Sequence, residues 1–167
     1  MILLKKILVA TDFSEPSDAA LAYGRELART FDAQLAVVHV ADNLMTRAYG
    51  GDGFVFADPE LQHDVEAAAE RHLDALLCDE DRALLGAEPV VLTSNTPAFA
   101  IVDYASRHDV DLIVMGTHGR TGFAHLLLGS VAERLVRTAP CPVLTVRHPE
   151  ERKYRSELVY DVEHLPA

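Results

Sequence analysis

Three glycines and a serine, closely spaced, carry most of the chemistry this sequence offers a ligand. They fall in Val114-Met115-Gly116-Thr117-His118-Gly119-Arg120 and in Leu128-Gly129-Ser130-Val131-Ala132-Glu133, with the spacing Gly116-x2-Gly119-x9-Gly129-Ser130. The first segment reads as an apolar strand opening into a loop. The second reads as a helix start, with Ser130-x2-Glu133 in the form of a capping box. A glycine just before that start leaves room for a ligand to approach the open backbone N–H groups. Those donors and the positive end of the helix dipole make an anion site, most commonly filled by phosphate. The spacing is neither a Gly-x4-Gly-Lys-[Ser/Thr] phosphate loop nor a Gly-x-Gly-x2-Gly dinucleotide fingerprint. The corner where the latter belongs reads Ala10-Thr11-Asp12-Phe13.

Other candidates are sparser. Asp12 either stabilises its own corner or meets a ribose or a metal. His118, Arg120 and His125 flank the glycine loop and are either phosphate contacts or solvated surface. His39 lies inside an apolar run and reads as packing. No His-Glu-x2-His or Cys-x2-Cys spacing occurs, so a protein metal site is not expected. No Gly-x-Ser-x-Gly elbow surrounds Ser130, so it is not read as a nucleophile. The stretch supplies donors without an evident base, and only Asp12 and His118 are candidates to activate a water.

Positioning these residues falls to an alternation of apolar runs and amphipathic segments. Lys5–Ala10, Gln34–Val40, Pro89–Thr93, Asp109–Met115 and Cys141–Val146 read as strands, the first and fourth of them buried. A helix capped by Ser14 or Ser17, with Pro16 in its first turn, carries Ala20, Leu21, Gly24, Leu27, Ala28 and Phe31 inward. A long helix starts at Asp58-Pro59 with the stripe Leu61, Val65, Ala68, Leu73, Leu76 and Leu77, and ends by Gly86. A helix from Thr96-Pro97 carries Phe99, Ile101, Val102 and Ala105. The last, from Ser130, carries Val131, Leu135 and Val136. Alternation of this kind means an α/β fold, a doubly wound parallel sheet with helices on both faces. In such sheets ligands bind outside the carboxyl ends of the strands. The Asp12 corner, the end of strand two at Val40 and the Gly116 loop share that edge.

The chain of 167 residues is 49% apolar and 25% charged, as expected of one soluble globular domain. The amino terminus lacks the order of a signal peptide and no apolar run approaches a membrane span, so a cytoplasmic location and no membrane insertion are expected. Cys78 and Cys141 read as free buried thiols in a reducing compartment. A formal net charge of −11 argues against nucleic acid as a partner. Residues 41–58, longer than an ordinary connection, read as an anchored lid or mobile segment. Residues 148–167 read as an ordered extension packing on the same subunit or on another, through Leu158, Val159 and Tyr160.

The segments Ala10-Thr11-Asp12-Phe13-Ser14, Val114–Arg120, Leu128–Glu133 and Pro140-Cys141-Pro142-Val143-Leu144 together resemble the universal stress protein family, in its ATP-binding branch. The resemblance spans residues 4–147, within a domain of residues 1–147. It implies a five-stranded sheet in the order 3-2-1-4-5 and a homodimer through the fifth strand, Cys141 to Val146. It implies that Ala10, Thr11, Asp12 and Val40 surround adenine and ribose. Met115, Gly116, Gly119, Gly129, Ser130 and Val131 would line the nucleotide and its phosphates, with His118 and Arg120 beside them. The ligand implied is ATP, or AMP or ADP, with magnesium carried in by the nucleotide. Ala132 stands where some nucleotide binders carry a hydroxyl, and Ser94-Asn95-Thr96-Pro97 lacks a glycine often found there. Three functions stay open: a nucleotide-dependent regulator with an unidentified protein partner, a slow ATP hydrolase, and a dimeric scaffold with an empty site.

Overall fold

The computed structural model describes residues 2–47, 58–117 and 129–147. Its elements run β1 (Lys6–Ala10), α1 (Glu15–Phe31), β2 (Gln34–Ala41), α2 (Leu44–Arg47), α3 (Pro59–Leu76), α4 (Asp79–Leu85), β3 (Glu88–Thr93), α5 (Pro97–Arg107), β4 (Leu112–Gly116), α6 (Ser130–Thr138) and β5 (Val143–Val146). The strands form one sheet in the order β3-β2-β1-β4-β5, and every neighbouring pair is parallel.

Each central strand is apolar on both sides because helices cover both sides. Ile7 and Val9 of β1 and Leu35 and Val37 of β2 pack with Ala20, Leu21 and Ala28 of α1 and with Leu73, Leu77 and Leu85 near α3 and α4. The intervening residues, Leu8, Ala36 and Val38, face Ile101 and Ala105 of α5 and Ala132 and Leu135 of α6. This two-residue alternation divides the core into two layers. Helix α1 lies so close to β1 that a Cβ placed on Gly24 would sit 2.3 Å from Val9 Cγ2. The strand order reverses at β1, so the carboxyl ends of β1 and β4 flank the switch point of the sheet.

Several expectations from sequence need correction. The long helix after Asp58 is two helices, because the chain turns extended at Leu77 (φ −94°, ψ 112°) and restarts at Cys78. The start of α4 uses the Asp81 carboxylate, which accepts from the Cys78 amide at 3.2 Å. Leu61 is 52% exposed while Gln62 is buried, which rotates the buried stripe of α3 by one residue. Phe31, Phe99 and Val136 lie on exposed rather than buried faces, and Ala132 joins Leu135 in the core instead. Both cysteines are free as expected, but Cys78 is exposed and Cys141 only half-buried. Most of the 41–58 connection and all of the 148–167 extension lie outside the described residues. Of the connection, the end of β2, the single turn of α2 and the cap of α3 are seen. Among the described residues no helix is long and apolar enough to cross a membrane.

Candidate functional site

The first wall of the site is the corner after β1. The Thr11 amide donates to the Val38 carbonyl at 2.9 Å, extending the β1–β2 ladder by one rung. Thr11 Oγ1 accepts from the Phe13 amide at 3.0 Å and shares a 3.0 Å hydrogen bond with Ser17 Oγ. The Ser14 amide, at the cap of α1, donates to Ser17 Oγ at 3.0 Å and to Asp12 Oδ1 at 3.2 Å. Asp12 therefore does stabilise its own corner, and it also lines the cavity beyond. The tight turn forces Phe13 to a left-handed φ of 63°, which costs a residue with a Cβ about 1 kcal/mol or more. Its ring is held between those of His39 (4.3 Å) and His72 (5.1 Å). His39 Nδ1–H donates to the Thr11 carbonyl at 2.9 Å. A carbonyl only accepts, which fixes the proton on Nδ1. His39 thus packs, as its position in the strand suggests, but it also braces the corner and lines the cavity.

The second wall is the exit of β4. Gly116 is buried, and a Cβ there would meet the Pro16 carbonyl carbon and oxygen at 3.0 Å. Its glycine is required by the first turn of α1, whatever else it contacts. The Thr117 amide donates to Val146 O at 2.9 Å, and the Gly129 amide donates to Thr117 O at 2.8 Å. The chain thus leaves the sheet and returns to it at one hydrogen bond. His118, Gly119 and Arg120 fall between, outside the described residues.

At the return, Gly129 is the cap of α6 with extended geometry (φ −68°, ψ 154°), and its carbonyl accepts from the Glu133 amide at 2.9 Å. This corrects the expected capping box. Ser130 is the first helical residue rather than the cap, and its exposed side chain makes no cap hydrogen bond. The bond to Thr117 places Gly129, which has no side chain, at the cap position. The first amides of α6 consequently lack both an intrahelical acceptor and a side-chain cap.

Between these walls lies a cavity of about 350 Å³. Ala10, Thr11, Asp12, Val40, Met115, Gly116, Gly129, Ser130 and Val131, all expected from sequence, line it. So do residues that sequence reasoning did not select. Ser17, Thr117 and Ala132 adjoin selected residues, and Val38 and His39 belong to β2. Asp42, Pro97 and Ile101 form a further wall from the exit of β2 and the start of α5. The available signal for that wall was topological, since Thr96-Pro97 opens a helix on the same carboxyl edge. Among the described residues no group of three or more His, Cys, Asp or Glu gathers to hold a metal.

The profile of the universal stress protein family matches residues 4–147. The chain belongs to that family. Universal stress protein MJ0531 of Methanocaldococcus jannaschii is 34% identical over 89% of this chain and 85% of its own length. Among solved structures, a universal stress protein from Burkholderia pseudomallei is 32% identical, with a TM-score of 0.65 over 86% of this chain and 96% of that one. MJ0577, also from M. jannaschii, superposes with a TM-score of 0.69 at 26% identity, over 88% of this chain and 98% of that one. The same fold recurs at 22% identity in a universal stress protein solved with cAMP, and at 24% in one from Archaeoglobus fulgidus solved with dAMP. The sheet order is that of the solved structures of this family. Nucleotides are bound by some of its members.

Proposed function

We propose that this universal stress protein binds ATP, exchanging with ADP and AMP, and serves the stress response as a nucleotide-dependent regulator in the cytoplasm. The observation that carries this reading is the cavity between β1, β4 and α6. Its lining includes the apolar Ala10, Val38, Val40 and Met115, which suit a base. It also includes Gly129 and Ser130, where helix amides without a side-chain cap suit phosphates. Its volume lies at the low end of ordinary small-ligand pockets, about 300–1,000 Å³. Asp12 is then assigned to the ribose, and His118, Gly119 and Arg120 to the phosphates. Magnesium accompanies the nucleotide rather than occupying a site of the protein's own. The cAMP and dAMP complexes of proteins sharing the fold support adenine as the base class.

Regulation is the reading we take because the cavity offers backbone donors for phosphate, and Asp12, which lines it with His39 and Asp42, also accepts from the Ser14 amide to hold its own corner. Occupancy would be read by an unidentified protein partner through a homodimer formed along β5. Calorimetric titration of the purified protein with ATP and magnesium is expected to show one site per chain. Assay of denatured fresh protein should release adenine nucleotide. Absence of both binding heat and released nucleotide would reject the reading. Turnover well above about one per minute, against about 10 per second for a median enzyme, would replace regulator by hydrolase.

A further inference from the structure

Four consecutive backbone groups just beyond β2 bond to two side-chain amides. Gln62, buried on α3, accepts from the Leu44 amide at 2.8 Å through Oε1 and donates to the Asp42 carbonyl at 3.3 Å through Nε2. Asn95, in the turn between β3 and α5, takes the two groups between them. The Asn43 amide donates to Asn95 Oδ1 at 2.9 Å, and Asn95 Nδ2 donates to the Asn43 carbonyl at 3.0 Å. An amide N–H only donates, so the orientation of the Asn95 side chain is determined. Its amide acts as one more peptide unit beside the strand exit.

This bracket joins two walls of the cavity. On one side Asn43 follows Val40 and adjoins Asp42. On the other, Asn95 precedes Pro97 and the first turn of α5, which carries Ile101; all four of these neighbours line the cavity. The Ser94 amide, donating to Ala41 O at 2.9 Å, is the last rung of the β2–β3 ladder. Beyond that rung, Asn95 links the two walls through its paired hydrogen bonds with the Asn43 backbone.

We infer that Asn95 is a positioning residue for the base in the nucleotide cavity, setting the distance between the Val40–Asp42 rim and the start of α5. The inference rests on the nucleotide reading above and deepens it. A preformed gap of fixed width favours a base that fits it and spares the ligand the cost of ordering the rim. Asn95 touches no reacting atom and is exposed, so water replaces its bonds when it is removed and the fold survives.

The test compares wild type with Asn95→Ala and Asn95→Asp by calorimetry with ATP and with GTP, after circular dichroism confirms folding. Without the bracket the rim is ordered at the ligand's cost, which corresponds to about a tenfold change in affinity. Asn95→Ala is expected to bind ATP about tenfold more weakly and to prefer ATP over GTP less than wild type does. Asn95→Asp keeps the acceptor for the Asn43 amide but faces the Asn43 carbonyl with an oxygen, and should not restore the preference. Wild-type ATP binding with unchanged affinity in Asn95→Ala overturns the positioning role and leaves the nucleotide reading intact. Equal losses for ATP and GTP also overturn it, because a general loosening would not discriminate bases. If wild type binds neither nucleotide, the reading and this inference both fail.

Discussion

Gly116 and Gly129 belong to the same spaced set, yet different neighbours require them. At Gly116 an added Cβ would stand 3.0 Å from the Pro16 carbonyl group, which is backbone and cannot rotate away. Gly116→Ala should therefore push on the first turn of α1, cost about 1–3 kcal/mol of stability, and weaken nucleotide binding through the disturbed Asp12 corner. At Gly129 the backbone is extended (φ −68°, ψ 154°), a conformation that valine adopts readily. Gly129→Val should leave the urea midpoint within about 0.5 kcal/mol of wild type, as for ordinary surface substitutions, but abolish ATP binding by filling the phosphate space. Paired urea melts and titrations separate the two. Loss of stability in Gly129→Val, or undiminished ATP affinity, would show that this glycine is structural too.

Asp81 shows the same contrast between sequence type and physical role. It is only 1% exposed, and its oxygens accept from Arg25 Nε at 2.9 and 3.1 Å and from the Cys78 amide. Burial alone would raise its pKa, but the Arg25 guanidinium and Cys78 outweigh burial and hold it below the ordinary aspartate value. A carboxylate with a folded pKa below its unfolded one stabilises the protein fully above the unfolded value, near 4. That contribution disappears as pH falls through the folded value. Asp81→Asn should cost roughly 2–4 kcal/mol at pH 7, short of the largest losses at fully buried pairs because Arg25 is itself 24% exposed. The deficit should narrow as the two proteins are compared at progressively lower pH. A deficit independent of pH would assign the loss to packing.

At the scale of elements, the contact of α1 with β1 sets two effects of opposite sign against each other. Gly24 lies within α1, where alanine would favour the helix by about 1 kcal/mol. A Cβ there would meet Val9 Cγ2 at 2.3 Å, and Val9 is fully buried and β-branched, with little freedom to turn. The clash should win, so Gly24→Ala is expected to destabilise by about 1–3 kcal/mol. Adding Val9→Ala should make the second substitution less damaging than it is alone, a coupling that urea melts of the four proteins measure. Additive losses would mean that the helix simply shifts. The same packing explains what was legible in the sequence. Apolar runs bounded by glycine, proline and aspartate identify the strands, most plainly β1, β2 and β4, whose double cover leaves no polar face to confuse the pattern. The edge strands β3 and β5 stay largely half-buried or exposed. The amphipathic helices were readable to within one residue of phase, which is why Leu61 and Gln62 exchanged roles. The break at Leu77 was hidden, since Asp81 acts there through Arg25, a partner 56 positions away. Nine residues of the site wall followed from motifs. Asp42, Pro97 and Ile101 did not, because only the folded sheet brings the β2 exit and α5 to the same opening.

At the scale of the whole molecule, β5 is an edge strand, paired among the described residues with β4 on one side only. It has four residues, spanning about 13 Å at 3.3 Å each. Such a ladder is too short to bury, by itself, the roughly 1,200 Å² of a stable interface. A homodimer built on it therefore has to recruit the adjoining α6, and the exposure pattern fits that requirement. Val136 of α6 is 54% exposed and Leu144 of β5 is 36% exposed, both apolar and otherwise unaccounted for by the core of one chain. Two β5 strands meeting antiparallel about a two-fold axis would satisfy both edges and form a closed assembly rather than a fibre. Sedimentation equilibrium should give a dimer for wild type. Leu144→Glu places two charges against each other across the axis and should shift the protein to monomer without loss of helix content. Val136→Glu should weaken the dimer as well, since the strand alone cannot supply the area. A dimer that tolerates both changes uses another face, and a wild type that sediments as a monomer removes the β5 interface altogether.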